Sequence, residues 1–88
     1  MRIKEDYVLK TVGKQFIVVP VGKEAVKFQG MITLNPTAKF LFELLKDEKN
    51  EQQLTEELMN HYDVDKEVAQ RDVLAFIETL KKHHLLEQ

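Results

Sequence analysis

The chain has 88 residues, 43% of them hydrophobic and 32% charged, enough for one compact core and too few for two. It contains no cysteine, which excludes disulfide staples, thiolate zinc sites and cysteine nucleophiles and leaves the hydrophobic core to hold the fold unaided. Thirteen Lys and Arg against fifteen Asp and Glu give a formal charge of -2, so the basic footprint that sequence-independent nucleic-acid binding usually needs is missing.

No run approaches the roughly 20 apolar residues that span a bilayer. Met1 to Asp6 carries Arg2, Lys4, Glu5 and Asp6 where a signal peptide would lead into its apolar core. The expectation is a cytoplasmic chain with no membrane partner, a single domain over residues 1–88.

Tyr7 to Val12 alternates loosely, Gly13-Lys14 interrupts, and Gln15 to Val21 is rich in aromatic and β-branched residues. This predicts a hairpin with its turn at Gly13-Lys14, and Pro20, which cannot donate a ladder hydrogen bond, marks a strand end or an edge. Gly22 to Gly30 has no clear period and reads as a connection held down by Val26 and Phe28. Met31 to Leu34 is short and β-prone and predicts a third strand.

That strand runs straight into Asn35-Pro36, an N-cap followed by Pro at the first helical position. The first helix, about Pro36 to Lys46, is apolar around most of its circumference and is expected to be the central one. Asn50 and Gln53 have the spacing of a capping pair and open a second helix to about Tyr62, with Leu54, Leu58 and Tyr62 as its inward stripe. Asp63-Val64-Asp65 ends it, and Asp65 can cap a third helix from Lys66 to about His83. Ala69, Val73, Phe76, Ile77 and Leu80 line one face of that helix.

Three short strands followed by three helices make an α+β domain. Strands this short are not stable alone in water. Their apolar face, taken to include Val8, Phe16, Val18 and Ile32, is expected to be covered by the helices. The strand-then-helix order favours an antiparallel sheet.

No nucleophile, base and orienting group come together. His83 and His84 are neighbours whose side chains point about 100° apart on a helix, so they share a metal poorly and read as surface residues. His61, beside the stripe of the second helix, reads as a hydrogen-bonded boundary histidine. Glu56, Glu57, Asp63, Asp65 and Asp72 sit at caps or on polar faces, and the isolated glycines spell no phosphate loop. The chain is thus expected to be no enzyme, with no catalytic residues, no bound metal and no cofactor. A hydrolase or metal enzyme stands as the reading opposed to this.

A hairpin with helices can also be a winged helix-turn-helix whose third helix enters a DNA groove. Charge opposes that alternative. Between Asn50 and Asp65 there is no Lys or Arg, and Lys66, Arg71, Lys81 and Lys82 on the third helix are balanced by Glu67, Asp72 and Glu78. Nucleic acid is not expected as a partner.

The order and spacing of several fragments carry a resemblance over nearly the whole chain. They are Val19-Pro20-Val21-Gly22, Gly30 to Thr37 leading into Phe42-Glu43-Leu44-Leu45, Tyr62-Asp63-Val64-Asp65, and Asp72-Val73 followed by Phe76, Leu80 and Leu85-Leu86. The chain resembles the coenzyme PQQ synthesis protein D (PqqD) family and the wider class of peptide recognition elements built on it. The resemblance implies a small winged helix-turn-helix-like module without catalysis. Such a module binds the leader of a ribosomally made precursor peptide and presents it to a modifying enzyme, a radical SAM protein in PqqD systems.

In such modules the leader is laid beside the third strand, in the groove that strand makes with the third helix. Here that implies Met31, Ile32, Thr33 and Leu34 facing Val68, Asp72, Ala75, Phe76 and Thr79. A free strand edge fits this, because its unpaired N–H and C=O groups are satisfied when a peptide adds a strand while pockets select side chains. Ile32 and Phe76 read more readily as plain core residues, and Asp72 also reads as a solvated charge or a backbone anchor. Glu67, Arg71, Leu74, Glu78 and Lys81 form the opposite seam, where Leu74 is either part of an enzyme-docking surface or an ordinary surface leucine. A free edge also permits self-pairing, so either a monomer or a homodimer is compatible.

Overall fold

The computed structural model describes residues 1–22 and 32–87. The connection expected between Gly22 and Gly30, with Val26 and Phe28, lies outside the described residues except for Gly22 itself, and so does Met31.

Strand β1 (Tyr7–Val12) and strand β2 (Gln15–Pro20) form the expected hairpin. Its two-residue turn places Gly13 at φ 61°, in the left-handed region that a side chain would make costly. The tight turn pairs Val12 with Gln15 and therefore Leu9 with Val18. Strand β3 (Ile32–Leu34) adds antiparallel to β2, with Val18 opposite Ile32 and Phe16 opposite Leu34, so the sheet order is β1-β2-β3. Pro20 is the last residue of β2, where its missing donor costs nothing.

This register corrects one expectation. Side chains alternate between the two faces, so Leu9, Val18 and Ile32 share a face, and Tyr7, Phe16 and Leu34 lie on it too. Val8 pairs with Val19 and lies on the other face, half-buried and apart from the main core.

Helix α1 (Pro36–Leu44) begins as the sequence dictates: the Asn35 side-chain oxygen accepts a hydrogen bond from the Ala38 amide at 2.8 Å. Leu41, Phe42 and the following Leu45 are almost wholly buried, while Lys39 reaches outward to Glu43 at 3.2 Å. Helix α2 (Glu51–Tyr62) opens on a complete capping box. Gln53 N donates to Asn50 Oδ1 at 2.8 Å, and Asn50 N donates back to Gln53 Oε1 at 2.9 Å. Leu54 and Leu58 enter the core, but Tyr62 does not. It is 38% exposed, edge-on to Phe40, with its hydroxyl 3.4 Å from the Pro36 carbonyl. Asp63 then turns the chain at φ 51°, a left-handed conformation that Asp tolerates better than most side chains.

Helix α3 (Lys66–Lys82) buries the five residues its period singled out, Ala69, Val73, Phe76, Ile77 and Leu80. Asp65 occupies its N-cap position, yet its side chain makes no capping hydrogen bond. One cluster joins Val18, Ile32 and Leu34 of the sheet to Leu41, Phe42, Leu58, Val73 and Leu80 of the helices. The helices therefore cover one face of the sheet, which supplies the apolar burial that three short strands lack.

The two ends of the chain close the fold beneath α1. Ile3 bridges Leu86; the Ile3 amide donates to the Leu45 carbonyl at 2.9 Å and the Lys4 amide to Leu85 at 2.9 Å. Leu85 is fully buried, and Arg2 meets Glu87 at 2.7 Å. The hydrogen bond that Arg2 donates to the Glu87 carboxylate, followed by that carboxylate's charge, raises the guanidinium above its ordinary pKa.

Candidate functional site

Among the described residues β3 is the last strand of the sheet, so one of its edges pairs with β2 and the other has no strand beside it there. Among the described residues β2 is the only strand that pairs with β3. Asn35 and Pro36 stop the strand after Leu34 and start α1 at once, so the described strand is Ile32–Leu34 and the first turn of α1 continues its line.

Beyond that outer edge lies α3, and the space between them is a groove of about 260 Å³. Thr33 and Leu34 form one wall, extended by Asn35, Thr37, Ala38 and Leu41 from the start of α1. Asp72, Ala75, Phe76 and Thr79 form the opposite wall. Short side chains at Ala75 and Thr79 keep that wall low. The Thr79 hydroxyl donates to the Ala75 carbonyl of its own helix at 3.1 Å, which satisfies it without filling the groove. Phe76 and Leu34 are buried and make the floor apolar. Among the described residues Asp72 is the one ionisable side chain in the lining; it is 37% exposed, with Arg71 at 3.4 Å.

Six residues read from the sequence are thus brought together: Thr33, Leu34, Asp72, Ala75, Phe76 and Thr79. Two are not. Ile32 alternates to the inner face and is a core residue, 7% exposed, and Val68 lies one turn before Asp72, half-buried and outside the lining. The contribution of Asn35, Thr37, Ala38 and Leu41 escaped the sequence reading. Its signal was present in the direct succession of β3 and the N-cap, which forces the first helical turn to stand beside the strand it follows.

The histidines build no site of their own. His61 is exposed and stacks on Phe40 with ring centroids 4.2 Å apart and planes 14° from parallel, in place of the expected hydrogen bond at a core boundary. His83 caps the end of α3, donating its amide to the Thr79 carbonyl at 3.2 Å, and His84 follows at φ 58°. Among the described residues no group of three or more His, Asp or Glu is placed to hold a metal ion, and no helix is long and apolar enough to cross a membrane.

Two solved structures share this architecture. One is described as TbiB1 in complex with the TbiA(beta) leader peptide; it is 20% identical, with a TM-score of 0.75 over 99% of this chain and 95% of the other. The second is a lasso peptide synthetase B1 complexed with the leader peptide, also 20% identical, with a TM-score of 0.73 over 99% of this chain and 96% of the other. At that identity the likeness establishes the fold, a three-stranded antiparallel sheet followed by three helices. No curated protein sequence resembles the chain closely enough to count as a relative. The signature of coenzyme PQQ synthesis protein D (PqqD), however, runs through residues 15–86, from the start of β2 to the terminal bridge, and the chain belongs to the PqqD family.

Proposed function

We propose that the chain is a non-catalytic adaptor that takes up the leader segment of a ribosomally made precursor peptide as a fourth strand on β3 and presents it to a modifying enzyme. The observation that carries this reading is the outward edge of β3 beside a groove with a low α3 wall. An added strand satisfies the edge's backbone groups, and alternate side chains of the peptide drop into the groove. Family membership supports the reading, as do two neighbours of the same fold that hold leader peptides.

In this reading Met31, Thr33, Leu34, Asp72, Ala75, Phe76 and Thr79 contact the leader, and Ile32 and Val68 back the site from the core side. The modifying enzyme is of the radical SAM class, as in PqqD systems, or another peptide-modifying enzyme. The adaptor itself carries no cofactor and works in the cytoplasm, as a monomer unless two β3 edges pair. The winged-helix DNA reading gains nothing from the geometry, because α2 presents Glu51, Glu56 and Glu57 with no compensating Lys or Arg.

The test is a titration of the isotope-labelled chain with the leader of a precursor encoded beside its gene. Amides of Thr33, Leu34, Ala75 and Thr79 are expected to shift with saturable occupancy. Saturating leader that leaves them unmoved would refute the proposal.

A further inference from the structure

A second and larger depression, of about 650 Å³, lies between α2 and α3 and plays no part in strand addition. Met59, Val73 and Leu74 give it an apolar floor. Leu74 is 50% exposed, the most exposed large apolar side chain on a helix among the described residues. Glu51 and Glu56 stand on the α2 wall, and Lys66 at the start of α3 is the single cation of the lining among the described residues. On the α2 side nothing offsets these carboxylates, because neither Lys nor Arg occurs from Asn50 to Asp65.

The position of this depression on α3 matters as much as its chemistry. At about 100° per residue, the α3 residues lining it (Lys66, Gln70, Val73 and Leu74) are centred roughly 150° around the helix from Asp72, Ala75, Phe76 and Thr79. A partner seated here therefore leaves the β3 groove open. An adaptor that presents a peptide needs two such separate surfaces.

We infer that the α2–α3 depression docks a basic amphipathic segment of the modifying enzyme, its apolar stripe on Met59, Val73 and Leu74 and its Lys or Arg side chains toward Glu51 and Glu56. This inference rests on the adaptor reading, but it is read out at different residues. Apolar contact supplies the affinity, and the carboxylates select the sign of the partner's charge and speed its approach.

The probes are synthetic helical peptides with one common leucine stripe and flanks stepped from strongly cationic through neutral to strongly anionic, each titrated into the isotope-labelled full chain. The cationic peptide is expected to shift Thr55, Met59, Gln70 and Leu74 while Thr33 and Thr79 stay in place. It should bind at least about fivefold tighter than the neutral one, with the advantage shrinking as salt screens it. Glu56→Lys should abolish the preference for positive charge, and Leu74→Ala should weaken all members of the series. Both sites are exposed, and circular dichroism verifies that both variants fold. Absence of binding, affinity indifferent to flank charge, or shifts centred on Thr33 and Thr79 would each overturn the inference. A failed leader titration with a positive result here would sink strand addition alone.

Discussion

Replacing Ala75 by Trp puts a large ring on the low wall of the β3 groove, where an added strand would have to lie. The size of the effect follows from the length of the edge. In an antiparallel ladder alternate residues turn their N–H and C=O groups to opposite sides, so a three-residue strand offers its new neighbour about two to four hydrogen bonds. At about 1 kcal/mol net for each, losing them costs about 2–4 kcal/mol, roughly thirtyfold to several hundredfold in Kd. The fold is spared, because Ala75 is exposed and such surface changes stay within about 0.5 kcal/mol. Gln70→Trp, an equally bulky change on the α2 side of the helix, is the control and is expected to leave leader affinity unchanged. Anisotropy of a labelled leader gives Kd, and a thermal melt by circular dichroism checks the fold. A folded Ala75→Trp chain that binds leader within about twofold of the parent, a difference of only about 0.4 kcal/mol, would refute strand addition at this edge.

Asp72→Asn keeps the shape but removes the only charge among the described residues of the groove lining; leader affinity is expected to fall about tenfold, since a hydrogen bond to a charged group is worth about 1.5–3 kcal/mol. Its melting temperature should hardly move, because the Arg71 contact at 3.4 Å is solvent-exposed. Asn50→Ala removes one arm of the α2 capping box and should cost about 1 kcal/mol in urea unfolding with leader affinity intact. Phe42→Ala opens a cavity beneath a side chain only 1% exposed and should cost about 3–5 kcal/mol, much of the stability of a domain this size, visible as a lost or strongly lowered cooperative melt.

The parts of this fold that the sequence announces are those with local chemistry. Asn35-Pro36, the Asn50 and Gln53 pair and the five-residue stripe of α3 each satisfy a rule spanning a few residues, and each lies where that rule puts it. The face of β1 was harder to read, because Tyr7 and Leu9 on one side and Val8 and Val12 on the other are all apolar, and a one-residue slip exchanges the faces. The hairpin turn held the answer: a two-residue loop at Gly13-Lys14 forces Leu9, and not Val8, opposite Val18. The joining of the chain ends was beyond local reasoning. Ile3 and Leu86 lie far apart in sequence, and nothing near either names the other. In the candidate site the α3 wall followed from helical spacing, whereas the α1 wall needed the three-dimensional turn from strand to helix.

The shortness of β3 also bears on selectivity. Its edge supplies about 2–4 kcal/mol of backbone hydrogen bonding, whereas association costs roughly 4–15 kcal/mol in lost freedom, so the edge alone cannot hold a peptide. The balance has to come from side chains that reach Leu34, Phe76 and Asp72 in the groove. A strand of arbitrary sequence, or the β3 of a second copy, brings the hydrogen bonds without the groove contacts and gains too little. The six-residue edge of β1 is long enough to pair indiscriminately, yet it exposes Lys10, and β-proteins commonly use an edge lysine against such pairing. A short acceptor edge beside a shaped groove thus favours a partner that fits both, and a β-prone peptide with scrambled side chains should bind far more weakly than a leader of equal length.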